Sequence, residues 1–261
     1  MEKLAVSTSP TQLTEGVAPD ATGLTLNQIE ATVEQYGVVV RISDLAELTA
    51  KHNMVERCIY VLGLQAAELY DQLIFNALST GATSVYRPHN RADDAHLIGS
   101  DHLDFNDLIE IDALQMDAAA RPFEGGDYVF VVAPQVYACF LKDPDFKAAA
   151  QMQAPERIWK AEVANLAGFR IVRSNAPGFS PATTTASGSS NKVYSSFAIG
   201  RFSYAITDLQ GLRVYMVAPG GQLDPLQQAR KIGWKFCFKS AVVNTNWIRL
   251  VKSSGLNSAT N

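Results

Sequence analysis

Three histidines and four aspartates gather in one short polar stretch, and they are the residues of this sequence best suited to chemistry. His89, His96 and His102 stand among Asp93, Asp94, Asp101 and Asp104. Imidazole and carboxylate are the ligands of zinc and of hydrolytic metal centres. A metal-dependent hydrolase is therefore one reading of the chain. The spacing argues against it, because no two of these histidines lie three or four residues apart, as they must to share one helix face. The same residue types also build solvated, turn-rich loops. The fourth histidine, His52, opens a helical segment and reads as a packing or capping residue. Other templates are missing. There is no phosphate loop, no dinucleotide fingerprint, no nucleophile elbow and no Cys-x-x-Cys pair. Gly220-Gly221, between Pro219 and Gln222, reads as a turn. Ser187 to Ser190 offer hydroxyls, but no histidine is near in sequence and a loop is a poor catalytic platform. The residues themselves thus call for no catalytic centre and no cofactor.

The elements around this stretch are more telling. From Gln12 to Ser43 the pattern is extended. Tyr36, Val38, Val40 and Ile42 alternate with Gln35, Gly37, Val39 and Arg41, and Leu24 and Leu26 alternate with Thr25 and Asn27. The turn-rich Glu15–Gly23 run predicts a two-stranded hairpin with a loose tip. Such a ribbon is marginal alone in water, so it needs contacts from outside, most simply from another copy of the chain. A long helix follows, from about Thr49 to Thr80. Val55, Ile59, Leu62, Ala66, Leu69, Leu73 and Ala77 mark its apolar face, with Lys51, Glu56, Arg57, Glu68, Asp71 and Gln72 mostly opposite. Asp44 and Glu47 have capping-box spacing, and Gly81 suits the C′ position. About thirty residues give a rod of roughly 45 Å, against a mean helix of ~11–12 residues.

The remainder predicts an α+β body. Helices are expected from about Asp104 to Ala120, from Pro134, from Asp143 to Met152, and from Ile158 to Leu166. Strands are expected at Tyr128–Val132 and Phe169–Arg173. Ser174 to Ser196 is a low-complexity stretch, read as a long structureless loop of the functional or disordered kind. Further strands are expected at Ser203–Thr207, Leu212–Val217, Trp234–Lys239 and Trp247–Val251, with Val243–Asn246 a turn joining the last two. Trp234, Phe236 and Phe238 should face one side and Lys235 and Lys239 the other.

Composition bounds the function. The chain has 261 residues, 47% hydrophobic and 18% charged, enough for a substantial core. The net charge is −4, with no basic stripe, which argues against tight nucleic-acid binding. No run of eighteen apolar residues suggests a membrane helix, and the N-terminus lacks an apolar signal core. Cys58, Cys139 and Cys237 are far apart and read as reduced packing residues.

Several runs together resemble one family. They are Leu13-Thr14-Glu15-Gly16-Val17-Ala18-Pro19, Leu24-Thr25-Leu26-Asn27-Gln28-Ile29-Glu30-Ala31-Thr32-Val33, Gln35-Tyr36-Gly37 and Ile42-Ser43-Asp44. Leu62-Gly63-Leu64-Gln65-Ala66-Ala67, Gly233-Trp234-Lys235 and Asn244-x-Asn246-Trp247 continue the match downstream. In order, they are similar to the major capsid proteins of tailed bacteriophages, most strongly from Leu13 to Gly81.

The resemblance implies an α+β chain with the Hong Kong 97-type capsid fold. It places the N-terminal segment and extended hairpin arm (E-loop) at 1–43. The peripheral (P) domain with its spine helix would span 44–103, the axial (A) domain 104–200, and return strands, mainly of the P domain, 201–261. It implies self-assembly through pentamers and hexamers into an icosahedral shell around double-stranded DNA, which the shell contacts without sequence preference. The shell would be built in the host bacterial cytoplasm, with scaffolding, portal and decoration proteins as further partners, and another phage structural subunit is the neighbouring alternative. The assembly contacts expected in the arm are Leu13, Val17, Leu24, Leu26, Ile29 and Tyr36. Family members usually carry a longer segment before the E-loop, and Met1 here lies near the arm's base. No lysine–asparagine pair for cross-linking is identified.

Overall fold

The chain divides into two units, Met1–Thr32 and Val33–Asn261. The computed structural model describes residues 2–5, 15–16, 25–153, 165–179, 182–186, 189–218, 226 and 228–259. In the first unit, β1 (Glu2–Ala5) pairs antiparallel with β2 (Thr25–Gln28), setting Leu4 opposite Leu26. The expected ribbon is therefore present, but its ladder joins residues 2–5 to 25–28. The Tyr36–Ile42 run, read from its period of two as part of the arm, belongs elsewhere.

That run lies in β3 (Glu34–Ser43), which opens the second unit. It pairs along its whole length with β11 (Ala229–Val242), and β11 pairs on its other side with β10 (Tyr204–Val217). The result is a three-stranded sheet in the order β10-β11-β3. Period two identifies a strand but not its partner, and the partner lies about two hundred residues away. Gly37 and Gly233 permit close approach here, since a Cβ on Gly233 would come within 2.7 Å of the Val38 carbonyl oxygen.

A short helix, α1 (Asp44–Thr49), is capped by Ser43, whose Oγ accepts the Ala46 N–H at 3.3 Å. Asp44, expected as the cap, sits in the first turn, where its charge suits the helix dipole. The long helix α2 (Met54–Gly81) begins only after a break, with Asn53 accepting the Glu56 N–H at 3.3 Å. Its 28 residues give a rod of about 42 Å. Leu62 and Ala66 are buried against Ile42, Ile232, Trp234, Phe236 and Phe238. Trp234 and Phe236 stack with centroids 5.3 Å apart, and Tyr70 of α2 meets Phe238 at 4.3 Å. Alternation correctly turns these three aromatics to one face. Each such side chain contributes roughly 1.5–3 kcal/mol by leaving water. The rod is thus covered by its own chain along this stripe.

The body is a seven-stranded sheet. Its strands are β4 (Ser84–Tyr86), β5 (Tyr128–Val132), β6 (Asn165–Leu166), β7 (Phe169–Arg173), β8 (Ala182–Ala186), β9 (Ser189–Ile199) and β12 (Ile248–Ala259). The order is β4-β12-β9-β5-β7-β6, with β8 on β9. β5 and β7 run parallel, as do β4 and β12. Helix α3 (Phe105–Asp117) starts at the expected Asp104, in a reciprocal box with Asp107. Helices α4 (Pro134–Lys142) and α5 (Pro144–Gln153) also follow the sequence reading. Leu108 and Ile111 of α3 and Phe140 of α4 join Phe130, Phe169 and Phe197 in the core.

Three expectations change. The serine- and threonine-rich stretch is no structureless loop: it forms the β8–β9 hairpin, with Thr185 opposite Ser190. Threonine is β-branched and favours strands, which its low-complexity setting obscured. Of the helix expected over Ile158–Leu166, residues 158–164 lie outside the described residues. Asn165–Leu166 form a strand that turns back through Ala167 (φ 49°) and Gly168 (φ 73°), the left-handed pair of a tight hairpin. Ser203–Thr207 and Leu212–Val217, expected as two strands, run together as β10, whereas the Val243–Asn246 turn, overlapping a 3₁₀ turn at Thr245–Trp247, joins β11 to β12 as expected, across two sheets. No described helix is long and apolar enough to cross a membrane.

Gly81 closes α2 directly beneath β11. A Cβ there would lie 2.3 Å from Val242 Cγ2. Gly81→Ala should therefore lower unfolding stability by about 1–3 kcal/mol through overpacking, and Val242→Ala in the same chain should restore part of the loss. A double-mutant cycle by chemical denaturation measures both.

Candidate assembly surfaces

The histidine–aspartate stretch folds into ties between a surface loop and β12. Asp94 takes Arg87 Nη2 at 2.7 Å on one oxygen and the Lys252 ammonium on the other. Asp101 is buried and accepts Arg91 Nε at 3.0 Å, Arg91 Nη2 at 3.2 Å and the Ile98 N–H at 2.9 Å. His89 Nδ1 lies 3.2 Å from the same carboxylate. His102 Nδ1 instead meets Ser254 Oγ at 3.1 Å, and His96 faces Asp93 at 3.8 Å. Asp104 caps α3. The three rings take three different partners. Among the described residues, no group of three or more His, Cys, Asp or Glu is placed to hold a metal. Asp94 and Asp101 are occupied by cations of the chain itself.

Burial works against the ionised Asp94, but hydrogen bonds from Lys252 and Arg87 outweigh it and hold its pKa below the usual value. A depressed folded pKa adds stability that is complete above the ordinary carboxylate pKa and is lost as pH falls through the folded one. Asp94→Asn should cost about 1–3 kcal/mol at neutral pH. Its deficit against the parent should shrink in acid, as thermal unfolding at several pH values would record.

The six arm residues expected to make contacts are dispersed. Leu13, Val17 and Leu24 lie outside the described residues. Leu26 is in β2, opposite Leu4, and Ile29 follows that strand half-buried. Tyr36 is not in the ribbon. Its ring packs on Phe236 at 5.6 Å, and its hydroxyl donates to Glu34 Oε2 at 2.5 Å. Glu34 Oε1 receives Lys239 Nζ at 2.8 Å. These hydrogen bonds, from Lys239 first, lower the Glu34 pKa. Tyr36 thus anchors β3 to β11 within its own chain.

The exposed apolar surface lies elsewhere on the second unit. Leu48 of α1 is 82% exposed and Tyr60 of α2 is 68% exposed, with Leu45, Val61 and Leu64 exposed nearby. An open groove of about 690 Å³ runs between β3 and α2, lined by Val40, Ile42, Met54, Arg57, Cys58 and Val61. β10, at the sheet's edge, shows Leu209 at 75% exposure, with Leu212, Met216 and Val217 also exposed. Large exposed apolar areas of this kind mark interaction surfaces. A signal was available: Tyr60, Val61 and Leu64 form a second apolar stripe on a helix whose outer side was read as polar. The three-stranded sheet is also basic, with Arg41, Arg213, Arg230, Lys231, Lys235 and Lys239 against Glu34 and Asp208. Residues 1–32 are acidic, with Glu2, Glu15, Asp20 and Glu30 against Lys3.

A separate ribbon, a long helix laid on a three-stranded sheet, and an α+β body define the subunit of a Hong Kong 97-type capsid. Solved structures agree in fold. The capsid of Ralstonia phage GP4 has a TM-score of 0.73 at 15% identity, covering 100% of this chain and 85% of that one. The cyanophage Pam1 capsid asymmetric unit gives 0.74 at 11% identity, over 99% and 85%. The capsid of cyanophage P-SCSP1u gives 0.70 at 14% identity, over 97% and 82%. No curated protein matches the sequence. The phage capsid protein family matches residues 27–236. The chain belongs to that family of phage capsid proteins.

Proposed function

We propose that copies of this chain tile into pentamers and hexamers and close as an icosahedral shell around double-stranded phage DNA. The carrying observation is a mismatch of supply and demand. The described residues of the first unit pair as a two-stranded ribbon, a form marginal by itself. The second unit leaves apolar surface exposed on α1, α2 and β10. In a closed symmetric assembly each copy offers its ribbon to a neighbour and receives one in turn. The acidic ribbon and the basic sheet are complementary in charge, which favours ribbon-on-sheet docking over ribbon-on-ribbon contact. The reading maps the arm to residues 1–32 and the P domain to α2 with the three-stranded sheet, and the A domain to most of the seven-stranded body.

The role is mechanical, and no reaction is assigned to it. The shell forms in the host cytoplasm and persists in the virion. Scaffolding, portal and decoration proteins are its natural partners. A weakly acidic chain holds DNA without gripping it.

Purified protein should form regular particles in negative-stain micrographs and sediment as very large species. Deleting Glu15–Thr25, or replacing Leu48 and Val61 together by Asp, should leave circular dichroism unchanged while abolishing particles. Regular shells from the deletion variant, or a monodisperse parent monomer at high concentration, would count against the proposal.

A further inference from the structure

Tyr86, at the end of β4, is held between two acids of α3. Its hydroxyl lies 2.7 Å from Asp107 Oδ1 and 2.8 Å from Glu110 Oε2. A phenol carries one hydrogen and can donate to only one carboxylate. If both acids are ionised, one contact lacks a hydrogen and sets oxygen lone pairs against each other. Both contacts become hydrogen bonds only when one acid supplies a second proton.

The geometry points to a proton-operated clasp in which Asp107 Oδ1–H donates to Tyr86 Oη and Tyr86 O–H donates to Glu110 Oε2. Asp107 is the half-buried acid and Glu110 the exposed one, so the neutral carboxyl belongs on Asp107. Asp107 Oδ2 stays available to accept the Asp104 N–H, as it does at 2.8 Å. The groups facing Asp107 are Tyr86 from β4 and Asp104 and Glu110 from its own helical segment. Burial raises the Asp107 pKa, and the charges of Asp104 and Glu110 push the same way, against the hydrogen bonds from Asp104 and Tyr86. Burial likewise raises the Tyr86 pKa, so the phenol keeps its hydrogen.

The clasp has a defined place. β4, the edge strand of the body's sheet, follows the C-terminus of α2 almost at once and pairs with β12. Proton uptake therefore tightens the packing of α3 on the edge strand into which the long helix leads. The sign is opposite to that of Asp94. A raised folded pKa adds stability as pH falls through it, complete below the ordinary carboxylate value.

The full chain tests this with two variants read against pH. Asp107→Asn supplies a permanent N–H to Tyr86 while its oxygen still accepts the Asp104 N–H, so it should imitate the closed clasp. Its melting temperature should exceed the parent's near neutrality, and the gap should close in acid. Tyr86→Phe opens the clasp, so the parent's advantage over it should grow as pH falls. Infrared spectra should show a protonated-carboxyl band in the parent above the ordinary carboxylate pKa range, absent from Asp107→Asn. Parent-minus-variant differences that stay flat with pH, or a missing band, would overturn the assignment.

Discussion

The structure depends on one seam, the packing of α2 against the aromatic face of β11. Ala66 is small enough to let the helix approach, and Leu62 with Trp234, Phe236 and Phe238 supplies the area that leaves water. β3 and β10 are held in place through β11, since each pairs with it and not with the other. The seam joins segments more than 150 residues apart in sequence, so its cost in chain entropy is high and its apolar area must be correspondingly large. Once formed, it gives a stiff beam with one side dry and the other wet.

The rest of the molecule uses that beam in two ways. The inner side closes a core, while the outer side and the groove beside β3 leave apolar groups facing solvent. A monomeric protein normally protects a long sheet edge with lysine, proline or brevity. β10 is fourteen residues long and contains neither lysine nor proline; a register shift between Asp208 and Arg213 interrupts it, but the exposed apolar stretch Val214–Val217 beyond it pairs regularly. The surface is better suited to being covered than to staying exposed.

Much of this was legible in the residues. The 3.6-residue period of Leu62, Ala66, Leu69 and Leu73 identified the long helix, because it depends only on neighbours in sequence. The aromatic alternation of β11 and the Asp104 cap of α3 were legible for the same reason. Pairing was not. Tyr36 to Ile42 alternate as well in an arm as in a sheet, and only the fold chooses β11 as partner. The threonine run of β8 was hidden because its composition suggests a loop while its β-branching suggests a strand. Among the candidate sites, the histidine–aspartate stretch is close in sequence, yet its three rings take three different partners. Its meaning turned on Arg87, Arg91 and Lys252, of which Lys252 lies about 150 residues away. The exposed faces of α1 and β10 were missed because an apolar residue in sequence carries no sign of whether it is covered.

The central position of two long strands decides how the molecule carries load. β11 is the middle of one sheet, and β12 sits between β4 and β9 in the other. A pull on either strand must break two ladders at once, whereas an edge strand gives up only one. The mechanical resistance of both layers therefore rests on this pair.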